Sequence, residues 1–248
     1  MAEESKNIKR VWDFSDLALV FFMFGTLLVL IIPVHQVVMD MLLGVSLALA
    51  LLILLVILFI KNPSDFTGFP TLLLIFTLYR LGLNVATTRL ILSEANAGEL
   101  IDAFGEIVVS GSFVVGIVIF LILTVINFVV ITKGAGRIAE VAARFTLDAM
   151  PGKQLSIDAE LDKGHITVEE AIDKRRLLQQ ESDFYGAMDG ASKFVRGDAV
   201  AAILVTLVNI VGGLAIGVFE NGMPVGEALE TYTRLTIGDG LLTQVPAI

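Results

Sequence analysis

The chain is 248 residues long, 56% hydrophobic and only 17% charged, with a mean hydropathy of +0.84, which excludes an ordinary soluble domain. A formal net charge of -9 is dispersed over several loops and identifies no partner, nucleic acid included. The absence of cysteine excludes disulfides and thiolate metal sites.

In chain order, Lys6, Lys9 and Arg10 precede the first apolar run, 17–34. No small-residue cleavage site closes that run, so it reads as a retained span rather than a signal peptide. Basic residues near span ends favour the cytoplasmic side, which puts the N-terminus inside. The turn 33–36 has no Lys or Arg and is expected outside. The second run, 37–60, then returns the chain to Lys61, completing a helical hairpin. Each run approaches or exceeds the roughly 18–20 residues a helix needs to cross about 30 Å of hydrocarbon.

The stretch 69–93 is expected to be the third span despite Arg80 and Arg89. Ionisable groups inside a span cost about 2.5–3.5 kcal/mol each on insertion scales, so they face a polar interior, a partner or water. Arg80, Asn84 and Thr88 fall on one helical stripe, and Arg89 points to the opposite face. Either Gly82 permits a distortion or the two arginines serve different interfaces. Arg89 can also snorkel to a surface. For Arg80, a structural ion pair or headgroup contact stands against direct participation in transport.

The fourth run, 113–131, leads into 133–198, which holds ten of the 17 Lys and Arg residues and is therefore expected to be cytoplasmic. A helix is expected over 137–149, a turn at Met150-Pro151-Gly152, and an amphipathic helix opening on the capping box Thr167 to Glu170 and reaching about Ser182. Gly152-Lys153 lacks the remaining signature of a phosphate-binding loop. His35 and His165 fall in opposite compartments and suggest no metal site. No catalytic constellation is evident, so the chain is not expected to be an enzyme.

Lys193 and Arg196 precede the fifth run, 199–218, as positive-inside anchors or as partners of carboxylates or headgroups. Asp198 lies at the boundary itself, where partial desolvation and the nearby Lys193 and Arg196 act on its protonation in opposite senses. It also suits the N-cap of the fifth span. Asn127 and Asn209 are expected to hydrogen-bond between helices, and Gly213 with Gly217 forms a small-xxx-small spacing. A sixth span, opening near Leu235, carries Asp239 before Gly240, a weaker candidate of the same kind as Asp198. The expected class is all-α, a polytopic bundle of about six spans. Residues 1–132 form its first membrane part, 133–198 a small cytoplasmic helical insert, and 199–248 further spans.

Three strings, RLGLNVATTRLIL at 80–92, FVVITKGAGRIAEVAARFTLDAMPGKQLSIDAE at 128–160 and DFYGAMDGASKFVRGDA at 183–199, closely resemble the FHIPEP family of type III protein export. The last is similar to the flagellar branch more than to the injectisome branch. The resemblance implies an N-terminal membrane region whose large C-terminal docking domain lies beyond residue 248. It implies a ring of identical subunits, nine in the family, in the bacterial inner membrane at the flagellar basal body. The ring would work with other membrane proteins of the export gate, and through the docking domain with the secretion ATPase complex, chaperones and export substrates. The proton or sodium motive force would drive unfolded subunits outward, with no cofactor beyond the coupling ion. The resemblance also implies that the aspartate of an RGDA motif, here Asp198, is central to ion coupling. An injectisome gate, a self-contained solute transporter or channel, and a passive ring scaffold are the competing readings. No pair of broken helices in inverted halves supports the transporter.

Overall fold

The computed structural model describes residues 14–109 and 112–247, all helix and connecting turn. The basic Lys6, Lys9 and Arg10 lie outside the described residues. The elements are α1 (Phe14–Ile31), α2 (Gln36–Phe59), α3 (Phe69–Glu94), α4 (Glu99–Val109), α5 (Phe113–Ile126), a π-helical segment (Asn127–Ala135), α6 (Gly136–Asp162), α7 (Val168–Phe219) and α8 (Val225–Gln244). The expected all-α membrane architecture is observed. Among the described residues, four helices are long and apolar enough to cross a bilayer: Gln36–Phe59, Phe69–Glu94, Phe113–Asp162 and Val168–Phe219. A shorter apolar helix, Leu19–Ile31, adds to them.

The membrane core is built on α3 and α8. Leu83, Leu90 and Ile91 of α3 meet Tyr232, Leu235 and Leu242 of α8, with Met39 and Leu43 of α2 and Ile101 of α4 closing the cluster. By contrast α1, α2 and α5 present apolar surfaces outward, including Phe21, Leu55 and Val114. In water so much exposed aliphatic surface would be prohibitive, whereas lipid accepts it. Helix α8 opens at Val225, ahead of the expected start near Leu235. Its polar Thr233, Thr236, Asp239 and Thr243 are all interior, so shielding by other helices, not its own hydropathy, allows it to sit there.

Helix α4 was not anticipated. It packs against α8 through glycines: a Cβ at Gly105 would come within 2.6 Å of the Arg234 carbonyl oxygen, and one at Gly238 would run into the Ile101 carbonyl. Its N-terminus is held by α2, where Asp40 accepts from the backbone N–H of Glu99 (3.0 Å) and Leu100 (3.2 Å). Gly98 precedes it at φ +108, and a side chain there would strike the Asp40 carboxylate.

The expected turn at 150–152 is absent, since α6 runs through Pro151 to Asp162. Proline forfeits one helical hydrogen bond. Packing of Met150 and Ile157 on Ala171 and Leu178 of α7 holds the helix regardless, and three cross-pairs fix the antiparallel register: Lys153 with Glu181, Lys174 with Glu160 and Arg175 with Asp158. The helix expected to end near Ser182 likewise continues to Phe219. The divisions at 132/133 and 198/199 therefore fall inside the continuous helices Phe113–Asp162 and Val168–Phe219.

The capping box is present. Glu170 N–H donates to Thr167 Oγ1 (3.2 Å) and Thr167 N–H to Glu170 Oε2 (2.8 Å). That backbone hydrogen bond, then the Thr167 hydroxyl, holds the Glu170 carboxyl below the usual carboxylate range. A depressed carboxylate stabilises the fold above its unfolded value, about 4.3, and loses that contribution as pH falls through the folded value. Thr167→Ala is expected to cost the α6–α7 hairpin about 1 kcal/mol and to reduce its acid sensitivity only in part, because the backbone N–H at 167 still reaches Glu170. Amide hydrogen exchange across 155–180 at neutral and acid pH measures both effects.

Candidate functional site

The buried charge is organised around Arg80, half-way along α3. Its Nη1 lies 3.1 Å from Asp198 Oδ2 of α7, with both side chains almost fully buried. Its Nη2 donates to the Thr243 carbonyl at 2.8 Å. That carbonyl belongs to the last turn of α8, where the helix leaves its acceptors without helical partners. A cation there is favoured by the helix dipole as well. One guanidinium therefore ties α3 to both α7 and α8. Such a pair gains little net stability after desolvation, yet breaking it by removing one partner costs roughly 3–5 kcal/mol.

One turn along α3, Asn84 is 1% exposed, and neither its amide nitrogen nor its oxygen has a hydrogen-bond partner among the described residues. Thr87 donates to the Asn84 carbonyl (3.1 Å) and lies beside the Asp239 carboxyl. Asp239 is 4% exposed, with Oδ1 unpartnered among the described residues. Arg80, Asn84 and Asp239 border a cavity of about 40 Å³ that is also lined by Thr124 of α5, Asn127 of the π segment and Thr206 of α7. Gln244, on its border too, donates to Thr124 Oγ1 at 3.1 Å. Ser46, near the middle of α2, lines a smaller cavity beside Arg80. The polar centre thus joins the middle of α2 and α3 to the start of the apolar stretch of α7. The π segment bordering it, an irregularity frequent at functional sites, left no signal that hydropathy could detect.

The structure separates the two arginines. α3 is α-helical throughout, Gly82 packs on Thr26 of α1, and Arg89 serves another interface. There Arg89 donates to the Ile31 carbonyl at 3.0 Å and faces that of Leu30, at the C-terminus of α1. Its role in the structure is a helix cap.

Three expectations about Asp198 and its surroundings are corrected. Asp198 lies deep inside α7, so no helix N-terminus exists there to cap. Its charge partner is Arg80 and not the neighbouring basic residues: Lys193 pairs with Asp189 one turn back (2.6 Å). Arg196 lies along α6, where a Cβ at Gly136 would approach its Nη2 to 3.0 Å. Asn209 is fully buried with both amide atoms unpartnered among the described residues, so it forms no interhelical hydrogen bond there. Gly213 and Gly217 do make a close contact, seating Tyr232 and Ala228 of α8.

The FHIPEP family profile matches residues 26–248. The chain is 56% identical over 229 residues to flagellar biosynthesis protein FlhA of Caulobacter vibrioides, covering 90% of this chain and 33% of that protein. It is 54% identical over 245 residues to FlhA of Helicobacter pylori, covering 97% and 33%. Identity to low calcium response locus protein D of Yersinia pestis is 46% over 241 residues, covering 97% and 34%. The chain thus spans about one third of the length of these relatives. No solved structure matches.

Proposed function

Since the chain belongs to the FHIPEP family, we propose that it is the membrane-embedded region of a flagellar type III export gate. In this reading the proton or sodium motive force drives unfolded flagellar subunits outward. The supporting observation is the buried Arg80–Asp198 pair, whose arginine shares a polar cavity with Asp239 among the spanning helices. Burying three ionisable groups in hydrocarbon is costly, and membrane proteins retain such groups for ion pathways. The flagellar assignment draws on 54–56% identity to the FlhA relatives against 46% to the Yersinia counterpart.

The surrounding reading follows the family. Subunits form a homo-oligomeric ring in the inner membrane at the basal body, the α6–α7 hairpin faces the cytoplasm, and the ATPase complex, chaperones and export substrates are its partners. Within each subunit, protonation of Asp198 would remove its attraction for Arg80 Nη1 while Nη2 stays on the Thr243 carbonyl. That releases α7 from α3 without releasing α8. Deleting the gene is expected to reduce secretion of flagellar subunits to background while solute uptake stays unchanged. Intact flagella, or a selective loss of solute uptake, would count against an export gate.

A further inference from the structure

Among the described residues the buried charged side chains do not balance. Arg80 contributes one positive charge, and Asp198 and Asp239 one negative charge each, so the fully ionised centre is left with a buried net negative charge. Only Arg80 and Asp239 are charged among the residues bordering the 40 Å³ cavity, and Asp198 reaches it through Arg80. The remaining neighbours from α3, α5, the π segment and α7 are neutral: Asn84, Thr87, Thr124, Asn127 and Thr206. A lone negative charge there is too costly to persist.

We propose that the cavity is a proton-binding site holding one exchangeable proton per chain, carried by the Asp239 carboxyl. The step is a simple transfer in which hydronium yields a proton to the carboxylate and leaves water. Asn84 positions the water, because its amide nitrogen needs an acceptor and its amide oxygen a donor that the described side chains around it do not supply. By volume the cavity admits roughly three or four waters at about 10–15 Å³ each. Arg80 in the same cavity disfavours a metal cation, which would bring a second positive charge next to the guanidinium. A proton passing from Asp239 through this water to Asp198 lets Arg80 exchange one carboxylate for the other. The total charge is then constant throughout, so α7 is released with no uncompensated charge in the bilayer. The proposal rests on the ion-driven reading for its purpose, but its test does not involve export.

The experiment counts protonated carboxyls in the full-length protein, reconstituted in nanodiscs at neutral pH, from the carboxylic-acid infrared band and its deuterium shift. One buried acid per chain is expected in the wild type, and none in Asp239→Asn. Asp198→Asn is also expected to show none, since Arg80 and Asp239 then balance each other, and Arg80→Gln is expected to show two. Asp239→Glu should keep one band at a shifted frequency, which distinguishes loss of the proton from loss of the fold. Replacing choline chloride with sodium chloride should leave the band unchanged. A wild type without the band, a band surviving Asp239→Asn, a count of one in Arg80→Gln, or removal of the band by sodium would each overturn the proposal. The expected counts, found in a protein whose gene can be deleted without loss of flagellar export, would refute the export reading while leaving this one intact.

Discussion

Asp198→Asn is expected to reduce flagellar export to background while the protein still reaches the membrane, and Asp198→Glu to retain part of it. The amide keeps the shape of the carboxylate but cannot take up a proton, and it leaves Arg80 Nη1 facing a neutral oxygen or nitrogen. Losing one partner of a buried pair costs roughly 3–5 kcal/mol. The low end, about 3 kcal/mol, is expected because Asp239 offers a second carboxylate in the same cavity. Loss of export could therefore arise from weakened assembly rather than from lost titration. The double variant Arg80→Gln with Asp198→Asn separates the two causes, since it removes both charges and leaves neither unpaired. It should assemble more stably than the single variant and still export nothing. Wild-type export by the double variant, at wild-type protein levels, would reduce the pair to a structural clamp and favour the scaffold.

Gly238→Ala is expected to be the most damaging single-methyl change in α8. Its Cβ would run into the Ile101 carbonyl oxygen and come within 3.0 Å of the Gly105 nitrogen. Both obstacles are backbone, so no rotamer change relieves them. Separating α4 from α8 undoes packing on both sides, and the cost is put at about 3 kcal/mol, the upper end for overpacking. Because Asp239 is the next residue, export should fall with stability. Gly226 provides the control in the same helix, with nothing within 4 Å of its added Cβ. There the substitution should stabilise by roughly 0.5–1 kcal/mol through helix propensity. Thermal unfolding in detergent followed by circular dichroism would compare the pair; equal midpoints for both variants would refute the close approach.

These two sites differ in how far the sequence revealed them. The long apolar runs declared their helices because hydrocarbon imposes a minimum length, and the Thr167 box declared a helix start because capping is local. The stripe of Arg80, Asn84 and Thr88 correctly placed Arg80 and Asn84 on an interior face. Thr88, however, bonds back to the Asn84 carbonyl, and it is Thr87 that reaches Asp239. The partnership of Arg80 with Asp198 was not legible, since it joins residues on separate helices and nothing local to either specifies the other. Asp198 read as a cap because a change from basic to apolar residues marks a membrane boundary, but such a boundary does not end a helix. No proline interrupts 168–219, so the backbone continues through it. Helix α8 was obscured for the converse reason: its threonines and Asp239 lower its hydropathy, and only the neighbouring helices make its position tenable. Pro151 misled because a proline on an exposed face can be carried by a helix whose other face is well packed.

The continuity of α7 also has a mechanical consequence. Its 52 residues amount to a rod of roughly 78 Å, against about 30 Å of hydrocarbon, so more than half its length projects as a lever outside the bilayer. Asp198 lies between the projecting arm and the embedded one, close to the natural fulcrum. A tilt of 5° about that point displaces the far end of a 45 Å arm by about 4 Å, by simple geometry on the same helical rise. The Arg80 contact, beside that pivot, would move far less than the tip. Force applied to the hairpin would thus reach the ion pair as torque rather than as stretch, and a small rearrangement at the pair would be amplified into a large sweep at the tip.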